Sequence, residues 1–477
     1  MQMENHSEIF NEIDKIVHPK SIALVGVSSK GRLYWLKSIT ESGFEGSIYP
    51  INPKVESALG LKFYKSLLDI PGDVDLVIVS VPAAVVPSVV KESVMKNAKG
   101  VVVFSSGFSE NNDEGAELEK KLAQAIKGTK TRLIGPNCMG IYCPQSKVSF
   151  RPDSSMDPGP VGFISQSGGH AISFAIVGSS IGLRYSKVFS YGNACDLDSP
   201  DFLEYLAEDE KTKVIGMYIE GIKNGARLVK ALKKAAEIKP VVVWKGGRSE
   251  AGARAAASHT GSLAGSAKIW DTVFKQTGVV QVKDFDELLD TISTFVFCPP
   301  TTSENLGLVS ISGGSSVSNT DFCVEEGFNV PELSSETKER LRDYVQKMGT
   351  SIKNPLDLAG SYNYPGVLEN VLEILGEEKK IGSVMFEVQV HYTSFIEKLV
   401  EAPIGKIIYG GMLEGCKKIR DKSKKPVLII LPRTSYEEAL KEVRDLFINA
   451  SFPVFPSITS ASKALHKVIE YYKRKRE

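Results

Sequence analysis

The sequence of 477 residues lacks the features that mark several classes of protein. No apolar run approaches the roughly 18 residues of a membrane span, and the polar start at residues 1–6 is unlike a signal peptide. Neither sign of charge dominates, since 58 Lys and Arg face 57 Asp and Glu, whereas nucleic-acid-binding proteins usually carry a clear basic excess. The six cysteines have neither the spacing of a zinc or redox site nor the density of a disulfide framework. We therefore expect a cytoplasmic protein without a bound metal, a membrane contact or a nucleic-acid partner.

Short β-branched runs alternate with helical patterns along the whole chain, which is typical of parallel sheets wrapped by helices. Two segments rich in Pro, Ser and Thr, at 151–160 and 299–303, interrupt this alternation. We predict an α/β protein with three doubly wound domains, at 1–150, 155–300 and 303–477. The predicted elements of the last domain include a strand at 406–408 and an amphipathic helix from about Ser460. Domains of this class bind ligands beyond the carboxyl ends of their strands.

The first domain carries the pattern of a nucleotide site. Residues 26–31 form a loop of small residues directly after the first predicted strand, where backbone N–H groups can meet a phosphate, although a tight turn alone would have the same composition. The second strand ends at Lys54, whereas an NAD site usually has an acid there. A lysine suits a phosphorylated ribose, as in CoA or NADP. Small residues follow the third and fourth strands, around Pro82 and at 105–107.

The middle domain contains one histidine in an unusual setting. His259 lies among small residues, and helical spacing from Ile269 onward predicts a helix that begins near Ser262. A histidine just ahead of a helix N-terminus would be a neutral nucleophile beside a bound phosphoryl group. The alternative is a loop histidine without a special role.

Two further segments of the middle domain could serve the same chemistry. Residues 165–170, Ser-Gln-Ser-Gly-Gly-His, follow a predicted strand and open a helix, so they could hold a second anion. Glu220 ends the strand at 214–219 and could orient an imidazole, or it could be a surface acid. We interpret His170 as a structural residue.

Several motifs together resemble a known family. They are "SHTGSLAGS" around His259, "GPNC" at 135–138, "SQSG" at 165–168, "SxGNxxD" at 190–196 and Asn-Pro-Leu-Asp at 354–357. They resemble the α-subunit of ADP-forming acetyl-CoA synthetases, which is related to the α-subunit of succinyl-CoA synthetase. The resemblance covers nearly the whole chain. It implies a Rossmann-like CoA-binding domain followed by two flavodoxin-like domains of the succinyl-CoA synthetase type.

The resemblance also implies a reaction and the residues that carry it out. Phosphate cleaves an acyl-CoA to an acyl phosphate, the phosphoryl group moves to His259, and ADP then becomes ATP. Glu220 supports the histidine. The residues implied in phosphate binding are Ser165, Ser167, Gly168, Thr260 and Gly261. The residues implied in CoA binding are Gly26, Ser28, Ser29, Lys30, Gly31, Lys54, Pro82, Ser105, Ser106 and Gly107.

Nothing in the sequence resembles the ATP-grasp module that this reaction needs. The resemblance therefore implies a separate ATP-grasp β-subunit that binds Mg-ADP or Mg-ATP, in an α2β2 assembly acting on a small carboxylic acid. Three segments depart from the family pattern, namely 32–34, His170 and 313–316. Two other functions stay open: a non-catalytic CoA-binding regulatory subunit, and an oxidoreductase linked to NADP through Lys54.

Overall fold

The computed structural model describes residues 7–28, 31, 33–260 and 266–476, with the backbone alone at 256–260. The chain divides into two compact units, Met1–Lys283 and Asp284–Glu477. The first unit contains two parallel-stranded sheets and the second unit contains one.

The first sheet of the first unit is fully parallel and has the strand order β2-β1-β5-β6-β7. Its order reverses at β1, which opens a crevice at the carboxyl ends of β1 and β5. A short antiparallel hairpin, β3-β4, lies outside the sheet. The strands are β1 (Ser21–Val25), β2 (Ser47–Ile51), β3 (Ser57–Ala58), β4 (Leu61–Lys62), β5 (Leu76–Val79), β6 (Gly100–Val103) and β7 (Arg132–Ile134), and the helices are α1 (Glu8–Val17), α2 (Tyr34–Glu41), α3 (Val86–Met95) and α4 (Asp113–Ile126).

The second sheet has the order β13-β12-β11-β9-β10-β8, in which only β8 is antiparallel to its neighbour. Without β8, this is the strand order of flavodoxin, with the switch point beside β9. The strands are β8 (Gly140–Tyr142), β9 (Pro158–Ser165), β10 (Tyr185–Ser190), β11 (Val214–Ile219), β12 (Val241–Lys245) and β13 (Val280–Val282), and the helices are α5 (Gly168–Ser180), α6 (Ser199–Glu208), α7 (Gly225–Ile238), α8 (Glu250–Thr260) and α9 (Ala267–Thr277).

The second unit has one parallel sheet, ordered β15-β14-β16-β17-β18, again with the flavodoxin order. Its first and last helices pack together, with the rings of Phe295 and Tyr471 5.3 Å apart. The strands are β14 (Leu306–Ser310), β15 (Leu356–Asp357), β16 (Ser383–Glu387), β17 (Val427–Ile430) and β18 (Val454–Phe455), and the helices are α10 (Phe285–Phe297), α11 (Gly313–Glu325), α12 (Ser335–Leu341), α13 (Val367–Glu377), α14 (Val390–Val400), α15 (Ile404–Lys418), α16 (Glu437–Asn449) and α17 (Ile458–Arg474).

The predicted α/β class with doubly wound, parallel sheets is confirmed, and one predicted strand is wrong. Residues 406–408 lie inside α15. Buried residues of this segment recur four apart, at Ile408, Met412 and Cys416, while Ile407 is 59% exposed. This is the spacing of one helix face, which a short apolar run does not reveal by itself. The final helix begins at Ile458, two residues before the predicted start.

The connections that follow the first strand of each flavodoxin-like sheet share a sequence pattern and one hydrogen bond. Ser-x-Ser-Gly-Gly stands at 165–169 after β9 and at 310–314 after β14. Ser165 Oγ donates to the carbonyl of Ser167 at 2.6 Å, and Ser310 Oγ donates to the carbonyl of Ser312 at 3.0 Å. The first connection opens α5 and the second opens α11, so the chain uses one local design twice.

Candidate functional site

The carboxyl ends of the two sheets in the first unit line a common cavity of about 570 Å³. The first sheet contributes the segments after β5, β6 and β7, and the second sheet contributes the segments after β9 and β10. The lining residues are Ser80, Val81, Pro82, Phe104, Ser105, Ser106, Asn137, Cys138, Met139, Gln166, Ser167, Gly168, Gly169, Ile172, Gly192 and Asn193. Residues predicted to bind CoA therefore lie beside residues predicted to bind phosphate.

A second cavity of about 610 Å³ lies at the crevice between β1 and β5. It contains the predicted residues Gly26, Ser28 and Lys54, and also Lys65, which sequence reasoning missed. Both lysines are exposed. The two cavities share Ser80, Val81 and Pro82 as a wall. The cavity with the two lysines therefore adjoins the cavity that the residues after β9 line.

The loop after β1 is held close to the end of β5. Gly26 has φ +93°, and a Cβ on it would stand 2.1 Å from the carbonyl oxygen of Ser80, so only glycine fits there. Asn52 donates through Nδ2 to the carbonyl of Val27 at 2.8 Å and accepts the N–H of Lys54 at 3.0 Å. Asn52 thus ties the loop to the lysine. Gly31 N–H donates to Ser28 Oγ at 3.2 Å, and the predicted residues Ser29 and Lys30 lie outside the described residues.

The segment after β6 forms part of the cavity wall, but several of its polar groups are already hydrogen-bonded within the protein. Ser105 Oγ accepts the N–H of Val81 at 3.1 Å and donates to the carbonyl of Val81 at 2.5 Å. The N–H of Gly107 donates to Glu110 Oε1 at 2.6 Å. Burial alone would raise the pKa of Glu110, but hydrogen bonds from Asn193 and from the backbone of Gly107 lower it. Ser106 remains exposed on the cavity wall.

The motifs at 135–138 and 190–196 join the two sheets of the first unit. Gly192 has φ +57°, and a Cβ on it would stand 2.2 Å from the carbonyl oxygen of Pro136. Asn193 N–H donates to that same carbonyl at 3.0 Å. Asp196 accepts two hydrogen bonds from the Arg132 guanidinium, both 2.9 Å long. These contacts of the motif residues connect the two sheets whose carboxyl ends line the cavity.

The predicted phosphate loop lies at the N-terminus of α5. Ser167 caps the helix, since its Oγ accepts the N–H of His170 at 3.3 Å. Ser165 is fully buried and fixes the loop from within. The first turn of a helix presents unpaired N–H groups and the positive end of the helix dipole, which together favour an anion. Ser167 and Gly168 line the cavity at this point.

Glu220 is a buried residue, 7% exposed, and not the surface acid that the sequence had left open. Its N–H donates to Gln166 Oε1 at 2.8 Å, and its carbonyl accepts a hydrogen bond from Lys245 Nζ at 2.7 Å. Its carboxylate accepts the Tyr218 hydroxyl at Oε1, 3.0 Å away. Burial lowers the pKa of Lys245 to about 8, although the charge of Glu220 opposes the shift.

His170 packs against two aromatic rings beside Glu220. Its ring centroid lies 4.4 Å from that of Tyr218 and 4.6 Å from that of Trp244. Burial lowers the pKa of His170, and the charge of Glu220 opposes the shift. This packing fits the structural role that we inferred for His170 from the sequence.

The backbone places His259 differently from the predicted loop. His259 lies in the last turn of α8, and the next described helix, α9, begins at Ala267. Ser262, near which a helix start was predicted, lies outside the described residues. The alanines at 251, 253 and 255–257 favour a helix, which explains why α8 extends this far. The side chains of His259 and Thr260, and all of Gly261, lie outside the described residues, so their phosphate roles stay predictions.

Neither a group of metal-ligating side chains nor a membrane-spanning helix occurs among the described residues. No three or more His, Cys, Asp or Glu side chains in this part of the chain are grouped so that they could hold a metal ion. No described helix combines the length and the apolar character needed to cross a membrane.

Comparison with known proteins assigns the family. A CoA binding domain matches residues 20–144, and a succinyl-CoA ligase like flavodoxin domain matches 158–295. Subunit alpha of acetate–CoA ligase (ADP-forming) I from Pyrococcus furiosus is 38% identical over 374 residues, 76% of this chain and 80% of that subunit. The chain belongs to the ADP-forming acyl-CoA ligase family. The resemblance inferred from the motifs, including the CoA-binding first domain, is thereby confirmed.

Two further comparisons describe this ligase-family chain. Acetate–CoA ligase (ADP-forming) from Methanocaldococcus jannaschii is 38% identical over 351 residues, 73% of this chain, and the match spans about half of that longer protein, 49%. The solved dinucleotide-forming acetyl-coenzyme A synthetase 1 of Ca. Korarchaeum cryptofilum, in complex with phosphate and ADP, superimposes with a TM-score of 0.84. It is 27% identical, and the superposition covers 98% of both chains.

Proposed function

We propose that this chain is the CoA-binding, phosphohistidine-carrying α-subunit of an ADP-forming acyl-CoA synthetase. Its reaction interconverts acyl-CoA, ADP and phosphate with the free acid, CoA and ATP. The observation that carries the proposal is the wall of Ser80, Val81 and Pro82, which is common to both cavities. Because of this wall, a CoA whose phosphorylated ribose lies near the lysines can extend toward the N-terminus of α5.

The first chemical step takes place at the cavity beside α5. A phosphate oxygen attacks the thioester carbonyl, the carbon–sulfur bond breaks, and CoA leaves as the thiol after it gains a proton. The product is an acyl phosphate. The N–H groups of the first turn of α5, together with Ser167 and Gly168, bind the phosphate and stabilise the charge that it carries.

The second step moves the phosphoryl group to His259. An imidazole nitrogen attacks phosphorus, the bond from phosphorus to the acyl oxygen breaks, and the acid leaves as a carboxylate. The carboxylate of Glu220 orients the imidazole and stabilises the positive charge that it gains. Thr260 and Gly261 assist in holding the phosphoryl group.

The third step needs a nucleotide site, which we assign to an ATP-grasp β-subunit in an α2β2 assembly in the cytoplasm. An oxygen of the terminal phosphate of Mg-ADP attacks the phosphohistidine, which yields ATP and restores the imidazole. The match to subunit alpha of the Pyrococcus furiosus ligase, and the longer relative from Methanocaldococcus jannaschii, support a second polypeptide or module.

A labelling experiment tests the central step. The chain with its ATP-grasp partner is incubated with γ-labelled ATP, and acid-labile phosphate is mapped by peptide. We expect label at His259, none in His259→Ala, and normal labelling in the control His391→Ala, which changes a histidine of the other unit. Label that persists in His259→Ala would overturn the proposal.

The same preparations separate the two alternative functions. The isolated chain should bind CoA without making acyl-CoA from acid, CoA and ATP until the partner is added. CoA binding without any labelling of the complex would favour a regulatory subunit. Tight binding of NADPH, with CoA unable to displace it, would favour an oxidoreductase.

A further inference from the structure

We propose that Tyr218 is a positioning residue that aims the carboxylate of Glu220 at its target. The inference rests on the proposed function, because it assigns a helper to the carboxylate that supports the phosphohistidine. Tyr218 and Glu220 stand two residues apart at the end of β11, so their side chains project on the same side of the sheet.

The backbone of Glu220 is fixed independently of Tyr218. Gln166 accepts its N–H and Lys245 donates to its carbonyl. These contacts leave the side-chain torsions of the glutamate to be set by another group. The Tyr218 hydroxyl supplies that contact at Oε1, 3.0 Å away. Burial, and then the charge of Glu220, raise the pKa of Tyr218 above its ordinary value, so the phenol keeps its proton and donates.

The phenol itself has little freedom to move. Trp244, its register partner on β12, lies 4.6 Å away between ring centroids, and His170 covers the ring from α5 at 4.4 Å. A Cβ on Gly246 would stand 2.5 Å from the Tyr218 oxygen, so a glycine leaves the space that the hydroxyl occupies. A donor confined in this way holds the carboxylate in one orientation.

The repeated connection in the second unit keeps a pair of the same kind. When β14 and β16 are aligned with β9 and β11 by their pairing registers, Glu387 takes the place of Tyr218 and Gln389 takes the place of Glu220. Gln389 Nε2 donates to Glu387 Oε1 at 2.7 Å. The donor stands first in the Tyr218–Glu220 pair and second in the Glu387–Gln389 pair. In both pairs, a carboxylate accepts a hydrogen bond from the side chain two residues away.

The test measures phosphohistidine formation in the complex with its partner, for Tyr218→Phe, Glu220→Gln and the double variant. Tyr218→Phe keeps the stacked ring and removes only the hydroxyl. We expect the rate constant to fall by about tenfold, as for loss of a hydrogen bond to a charged group, with the Kd for CoA unchanged. In the Glu220→Gln background, Tyr218→Phe should change the rate by less than about twofold, because residues that act through each other are not additive.

The control is Tyr185→Phe, which removes a fully buried phenol hydroxyl of the same sheet that donates to the carbonyl of Phe174 at 2.5 Å. It should leave the rate unchanged. An equal loss of rate from Tyr218→Phe with and without Glu220 would overturn the inference, as would an unchanged rate in Tyr218→Phe while Glu220→Gln is slow. If Glu220→Gln itself is as fast as the wild type, the role given to Glu220 in the proposed function fails instead.

Discussion

Gln166 accepts the backbone N–H groups of both Glu220 and Gly221 at one atom, Oε1, over 2.8 and 3.0 Å. Gln166 is the second residue of the predicted phosphate loop, and Glu220 is the predicted partner of the phosphohistidine. The bond therefore joins the group that would hold the phosphate to the group that would orient the nucleophile.

The first prediction concerns this bond. Gln166→Ala leaves two buried N–H groups without an acceptor, which costs roughly 1–3 kcal/mol for each group. We expect a lower urea midpoint and slower phosphohistidine formation. Gln166→Glu keeps an acceptor at the same place and should recover most of the lost stability, while its negative charge beside the phosphate loop keeps phosphohistidine formation slow. Equal urea midpoints of the Ala and Glu variants would show that the acceptor is not what matters.

The second prediction concerns the carboxylate of Glu220. Glu220→Gln keeps the size of the side chain and removes the charge that supports a positively charged imidazole. Phosphohistidine formation should slow by about ten- to a hundredfold, the usual effect of losing a charge-assisted hydrogen bond, while CoA affinity stays the same. Glu208→Gln, a change at the C-terminal end of α6, serves as the control and should leave the rate at the wild-type value.

The third prediction concerns the two lysines of the second cavity. Lys54→Ala and Lys65→Ala should each weaken CoA binding several-fold, because an exposed charge contact contributes up to about 1 kcal/mol and is screened by salt. Calorimetry at low and high salt checks this, with exposed Lys91→Ala on α3 as the control. Dephospho-CoA should bind all four proteins alike. If neither lysine substitution changes the affinity for CoA, the phosphorylated ribose does not bind in this cavity.

The fourth prediction concerns pH and Asp290 in α10. Burial, and then the charges of Asp286, Asp284 and Glu287, raise the pKa of Asp290 to about 7. Between about pH 4 and pH 7 the folded chain keeps a proton that the unfolded chain has lost, so stability falls as pH rises through this range. Asp290→Asn removes the penalty. It should raise the thermal midpoint at pH 8 and leave it unchanged near pH 4.

The matched control for this pH effect is Asp321→Asn, which changes an exposed carboxylate on α11. We expect no difference from the wild type at either pH. For Asp290→Asn we expect a gain in stability of about 1–2 kcal/mol at pH 8. Partial solvent exposure makes this gain smaller than the full free energy that corresponds to the pKa shift. The same gain at pH 4 would mean that the aspartate acts through packing and not through its charge.

Sequence reasoning was strongest where local pattern and tertiary structure agree. β11 has the predicted bounds, 214–219, because it is a continuous apolar run whose residues are all buried. Sequence reasoning failed at 406–408, where a three-residue run carries no period, and at the loop predicted for His259, where the alanines of α8 extend a helix through this residue. Local pattern alone did not decide these elements.

The sequence indicated the positions of several candidate residues, but not the contacts between them. Lys54, Glu220 and the loop at 165–168 each follow a strand, which is a signal that the sequence displays. Lys65 follows a short hairpin, and only the folding of that hairpin beside β2 brings it to the cavity. Tyr218 and Gln166 act through contacts with Glu220 that depend on the pairing of β9 with β11. Such contacts cannot be read from spacing.

The packing of α10 has a practical consequence for dissecting the gene. This helix buries Leu288, Leu289, Ile292 and Phe295, and it belongs to the unit that starts at Asp284. A fragment begun at the Pro-rich segment 299–303 would be translated without α10, which would leave the apolar side of α17 bare and favour aggregation during expression. Fragments of the C-terminal half that are made for module swaps or crystallisation should instead begin at or before Asp284.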